Sequence, residues 1–226
     1  MNIEGLVSTI AIYALPVVFA ITLHEAAHGY VAKHFGDTTA FVLGRVSLNP
    51  TRHIDLVGTI IVPLLILLAT SWSGGRGMLF GWAKPVPVND HALRRPRQHM
   101  MWVAAAGPGA NLVMALAWGL GLKLAILAGF GPRSFVFEVA LAGVEVNVVL
   151  MLLNLLPILP LDGGRIVASL LPPRVSDRYA RLEPLGFPIL LALMFTNLLG
   201  VVMYPMVAGS IQLIAHAFQL PLLGTL

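Results

Sequence analysis

Apolar residues run along this chain in long unbroken stretches, without the 3.6- or 2-residue alternation that a half-wetted helix or strand needs. Residues 6–35 predict one long helix, ended by the polar cluster 36–53 with its Gly36-Asp37, Gly44 and Asn49-Pro50 turn signals. A second apolar run, 54–72, is long enough to span a bilayer but carries Asp55, Gly58 and Pro63. Residues 73–99 predict a polar loop with a short edge strand near Gly81 to Val88. Residues 100–129 predict a spanning helix, which turns at Gly131-Pro132-Arg133 into a second from Phe135 to Leu156. A break from Pro157 to Arg165 and an Arg-bearing loop follow. Apolar residues 185–219, interrupted by Pro205, then form one long kinked span or two short ones.

Such runs predict an all-α polytopic membrane protein: a bundle of about four to six membrane helices with a re-entrant element and a short β-like loop. Composition agrees, with 58% hydrophobic and 11% charged residues in 226, against roughly 45–50% and 25% in soluble domains. One membrane-embedded domain is expected over 1–226, with its core at 6–170 and C-terminal helices at 185–219. No repeat, linker or accessory soluble domain is expected. No basic stretch precedes the first apolar run, where Glu4 is the only charge, so a cleaved secretory signal is not expected.

The net charge of +4 comes from basic residues in short loops, with no continuous stripe, so nucleic acid is not an expected partner. The chain has no cysteine, which excludes disulfides and thiolate ligands. Loops 36–53, 73–99 and 162–183, with Lys33 at the end of the first run, hold all the Lys and Arg except Lys123 and Arg133. By the positive-inside rule these loops are cytoplasmic, which predicts an integral protein of the cell membrane.

The chemistry is concentrated in His24-Glu25-Ala26-Ala27-His28, an H-E-x-x-H pattern. On a helix it places two imidazoles one turn apart on one face, able to share a metal ion, with the glutamate beside them as base. The chain's histidine and glutamate content gives a chance expectation of about 0.005 such patterns. Ionisable groups in an apolar helix each cost roughly 2–3 kcal/mol or more, so they are functional by default; satisfied core histidines with a buried ion pair are the bland alternative. Catalytic zinc takes three protein ligands and a water, so a third ligand must come from elsewhere. Asp162, between Pro157/Pro160 and Gly163-Gly164, is one candidate, the glycines permitting unusual backbone angles; a helix-capping aspartate is its equal rival. From Leu6 to His24 is roughly 27 Å of helix, so the pair lies toward the far edge of the bilayer. For Asp162 to meet it, helices 6–35 and 135–156 must be parallel, helix 100–129 antiparallel, and 54–72 re-entrant. The rival topology, with 54–72 spanning, would place the basic residues of loop 73–99 outside.

H-E-A-A-H-G at 24–29, A-G-P-G-A-N at 106–111 and N-L-L-P-I-L-P-L-D-G-G-R at 154–165, in this order, resemble the site-2 proteases, intramembrane zinc metalloproteases. The stretch F-G-W-A-K-P-V-P-V-N at 80–89 resembles the short members; no PDZ or CBS domain is seen. The resemblance implies one zinc ion bound by His24, His28 and Asp162, Glu25 as catalytic base, and Asn154 contacting the substrate backbone or the developing oxyanion. It also implies that the partners are the lipid bilayer and transmembrane substrate proteins, cleaved in or near their membrane segments from a site toward the cytoplasm. Asn111 reads as an interhelical hydrogen bond rather than a ligand-facing amide, given Gly107 and Gly109 beside it. A zinc-binding or transport protein without hydrolysis is the competing class, and Glu25 discriminates between them.

Overall fold

The computed structural model describes residues 3–53, 55, 58, 61 and 84–220. Eight α-helices lie among them: α1 Ile3–His34, α2 Thr39–Val42, α3 Pro96–Leu127, α4 Phe135–Asn154, α5 Asp162–Leu170, α6 Pro173–Ala180, α7 Glu183–Phe195 and α8 Leu198–Ala217. No strand occurs among the described residues. Four helices (α1 from Val7, α3, α4 and α8) are long and apolar enough to cross a membrane, and α7 is a shorter apolar helix. The chain is an all-α polytopic membrane protein.

Local sequence accounts for the helix ends. After α1, Gly36 takes φ +111° and the amides of Gly36 and Asp37 bond back to Lys33 O and Ala32 O at 3.1 and 2.9 Å. That paired closure needs a left-handed residue, which glycine adopts without a Cβ penalty. Gly129, at φ +87°, closes α3 the same way. Asp37, fully buried, then ties this end down: its two carboxylate oxygens accept from Thr39 N (2.9 Å) and Asn89 N (2.7 Å). Burial raises its pKa, but these hydrogen bonds outweigh that effect and hold it below the usual carboxylate range. At the start of α4, Ser134 Oγ caps Phe137 N at 3.3 Å.

The main core lies between α3, α4 and α8, where Leu122, Phe137, Val144, Val148, Ile211 and Ile214 are buried together. Trp118 on α3 packs flat against Gly143 on α4, where any Cβ would enter the indole. Large apolar side chains on the outer faces, such as Phe19, Leu116, Leu124 and Val201, stay exposed, as a lipid-facing surface requires. His24 meets Asn111 and His28 meets Val103, so α1 and α3 run antiparallel; Asn111 meets Asn147 and Trp118 meets Gly143, so α3 and α4 are antiparallel and α4 runs parallel to α1. Both α1 and α4 therefore deliver their C-terminal ends to the same edge.

Two sequence expectations need correction, and the open alternative for 185–219 is decided in favour of two helices. Residues 162–183 are not a loop but the helices α5 and α6. The C-terminal apolar stretch divides at Asn197, which takes φ +59°, and Pro205 rides inside α8. Gly163 and Gly164 do not carry unusual backbone angles: they are buried in the first turn of α5, and a Cβ on either would strike the backbone of residues 155–159. Their role is close approach. The proposed re-entrant element 54–72 lies outside the described residues except at positions 55, 58 and 61. The edge strand is described only from residue 84, and residues 84–89 take no regular secondary structure and join no ladder.

Candidate metal centre

α1 carries His24 and His28 one turn apart, and the first turn of α5 carries Asp162 to them across 134 positions of sequence. His24 Nε2 and His28 Nε2 lie 3.1 Å apart. Asp162 Oδ2 is 3.2 Å from the first and 3.4 Å from the second. Ligands bonded to one tetrahedral zinc at about 2.0–2.1 Å stand roughly 3.3 Å from each other, so the three separations suit one ion. The trio is nearly sealed, with side-chain exposures of 10, 11 and 12%.

Hydrogen bonding shows which atoms carry lone pairs. His28 Nδ1 lies 2.7 Å from Val103 O, and a main-chain carbonyl only accepts, so Nδ1 holds the proton and Nε2 the lone pair. His24 Nδ1 lies 2.6 Å from Asn111 Oδ1, with the same result. Asp162 Oδ2 is buried without a hydrogen-bond donor. Three electron-rich atoms thus converge within contact distance, an arrangement that is costly unless a cation sits among them. The donor set of two imidazoles and a carboxylate is one that zinc accepts. Among the described residues no other group of three His, Cys, Asp or Glu side chains could hold a metal.

Glycine makes the room. A Cβ on Gly107 of α3 would fall 2.6 Å from His24 Nε2 and closer still to His28 Nε2, so only glycine lets α3 back onto the imidazoles. From sequence Gly107 reads as a helix-packing residue, which misses that it packs on the converging Nε2 atoms themselves. Asn111 is the interhelical hydrogen bond expected, but its partner is a candidate ligand. Asn147, fully buried behind it, was missed altogether; a lone amide inside an apolar run is the signal that could have found it.

A cavity of about 1000 Å³ opens on the trio, walled by α1, α3, α4, α5, α7 and α8. His24, Glu25, His28, Asn154 and Asp162 share its lining with apolar residues including Leu153, Phe187, Leu190, Met203 and Val207, and among the described residues Arg165 is the only Lys or Arg there. Glu25 Oε2 accepts from Val86 N at 2.7 Å, while Asn154 Nδ2 donates to Leu150 O at 3.0 Å. The segment bearing Val86 is pinned from outside: Lys84 N bonds His53 O (2.9 Å) and Arg45 Nη2 bonds Lys84 O and Pro85 O (2.9 and 3.2 Å). Its donors at 84 and 86 are spent, and Pro85 and Pro87 have none. Residues 84–87 of the expected edge therefore offer a pairing strand acceptors only. His53 is likewise buried and structural in its contacts, with Nε2 2.8 Å from Ser47 O.

Fold and site together define a class: a polytopic helical membrane protein with a buried cage suited to one hydrolytic metal. Comparison with known proteins agrees. Residues 123–197 match the description "Peptidase family M50". A Bacillus subtilis (strain 168) protein named "Putative zinc metalloprotease YwhC" is 37% identical over 215 residues, covering 91% of this chain and 90% of its own length. A Mycolicibacterium smegmatis protein named "Putative zinc metalloprotease Rip2" is 31% identical over 184 residues, covering 81% of this chain and 66% of its own. No solved structure matches the chain. The chain belongs to Peptidase family M50, the site-2 proteases, and is a membrane-embedded zinc metalloprotease.

Proposed function

We propose that this enzyme hydrolyses peptide bonds in or near the transmembrane segments of other membrane proteins, using one zinc ion held by His24, His28 and Asp162. The observation that carries the reading is the convergence of three lone-pair atoms at 3.1–3.4 Å on the wall of an apolar cavity that Glu25 also lines. Zinc bound there supplies Lewis acidity, lowering the pKa of water to around 7 and polarising the scissile carbonyl. Glu25 takes the proton from that water and returns it to the departing amine nitrogen. The Val86 N–H holds one carboxylate oxygen of Glu25 and leaves the other to do this work. Asn154, at the end of α4 beside the trio, contacts the substrate backbone or the developing oxyanion.

The apolar walls favour a substrate drawn from lipid. A helical segment shields its own peptide bonds, so the bound stretch must unwind before water reaches a carbonyl, with its freed backbone groups partnered in the cavity. The basic loops support a catalytic edge on the cytoplasmic side of the cell membrane, by the positive-inside rule. Purified enzyme in detergent, incubated with a single-span transmembrane protein, is expected to cleave it; Glu25→Gln or a zinc chelator abolishes cleavage, while Glu25→Gln retains zinc. Equal cleavage by Glu25→Gln would end the proposed mechanism.

A further inference from the structure

We propose that Asn147, which lines no part of the catalytic cavity, is a positioning residue that acts through Asn111 to fix which nitrogen of His24 carries its proton. The inference rests on the reading of His24 as a zinc ligand and adds the device that keeps its Nε2 available.

The direction of every hydrogen bond in the chain follows from its far end. Asn147 Nδ2 lies 2.8 Å from Gly143 O, a main-chain carbonyl that can only accept. The amide of Asn147 is thereby oriented, and its Oδ1 faces Asn111. Asn111 Nδ2 donates to that oxygen at 3.0 Å and also faces Ala20 O at 3.4 Å, a second group that can only accept. Asn111 must then turn its Oδ1 to His24, 2.6 Å from Nδ1, where an acceptor requires the Nδ1–H tautomer. The lone pair of His24 is left on Nε2, facing His28 and Asp162.

Both amides are fully buried, where water cannot substitute for a lost partner. His28 needs no such relay, because Val103 O is an acceptor by nature. An asparagine presents a donor or an acceptor according to how its amide is turned, and Ala20 O, at 3.4 Å, holds Asn111 only through a long contact. Asn147, at 3.0 Å, supplies the closer acceptor that fixes the turn. The relay also crosses three helices in one line, from α4 through α3 to α1.

The test uses the full-length protein in detergent, with zinc affinity measured by competition against a chelator. The parent is expected to bind one zinc. Asn147→Leu should weaken binding about 10- to 100-fold, the range for loss of an outer partner of a metal-bound histidine. Asn147→Asp should bind within a few-fold of the parent, because a buried neutral carboxylic acid still donates to Gly143 O and accepts from Asn111. Asn111→Asp and Asn111→Leu should divide in the same way. If Asn147→Leu binds zinc as tightly as the parent, or if the Asp and Leu variants lose affinity and thermal stability equally, the pair is only interhelical packing. A second measurement does not depend on any variant folding: side-chain 15N spectra of histidine-labelled, zinc-free parent should show His24 as Nδ1–H. An Nε2–H tautomer overturns the relay. A parent that binds no zinc overturns the functional reading instead, and the His24 spectrum still decides the relay.

Discussion

Single residues set the geometry of this centre more by what they lack than by what they contribute. Gly107 supplies no atom to the trio, yet its missing side chain is the space in which the two imidazoles sit. Gly107→Ala is expected to push them apart and cut zinc affinity at least tenfold, with the helical fold retained, since an unrelieved added methyl costs roughly 1–3 kcal/mol. Chelator competition beside far-ultraviolet circular dichroism checks it, and unchanged affinity would mean that α3 recedes freely. Such roles are hard to read in advance. The H-E-x-x-H spacing announced two candidate ligands and a base because helix periodicity alone brings them to one face. Asp162 had two equal local readings and was singled out only by the resemblance of the 154–165 motif, and Asn147 was not visible at all, because nothing in a lone polar residue states which neighbour it meets.

At the level of elements, the long helices were legible to within a few residues, since twenty or more apolar positions between turn signals leave few alternatives. The shorter pieces were not. Arg174, Arg178 and Arg181 made α6 look like loop, and Pro205 attracted attention that belonged to Asn197, eight positions earlier. The edge strand read near Gly81 to Val88 is described only from residue 84, where the segment is a strap whose amides at Lys84 and Val86 are committed to His53 O and Glu25. Val86→Pro removes the second of these bonds and also trims a buried side chain, so Val86→Ala is its control for lost packing. The expected outcome is a fall in kcat of about tenfold or more relative to Val86→Ala, with zinc affinity matching that control. Loss of zinc along with kcat would show instead that the strap shapes the cage.

The whole molecule follows from a parity condition: α1 and α4 must end at one edge for His24, His28 and Asp162 to meet, and α3 must return between them. The paired contacts of α3 with both neighbours, His24–Asn111 and His28–Val103 on one side and Asn147–Asn111 and Gly143–Trp118 on the other, satisfy that condition. Which edge faces the cytoplasm is testable because the chain contains no cysteine. Single cysteines at Arg174 and Arg133 are expected to react oppositely with a membrane-impermeant thiol reagent in intact cells, Arg133→Cys labelled and Arg174→Cys protected. The reverse pattern would invert the orientation drawn from the basic loops.

The turn at 155–160 is gripped on two sides without any side chain as cushion. Gly163 and Gly164 of α5 press on it from one side, and on the other a Cβ at Gly186 of α7 would land on Leu159 O. Backbone bearing on backbone has little compliance. α7 thus bears on the same turn that the first turn of α5, with Asp162, bears on, so Gly186→Ala is expected to weaken zinc binding from a position outside the ligand set, checked by chelator competition.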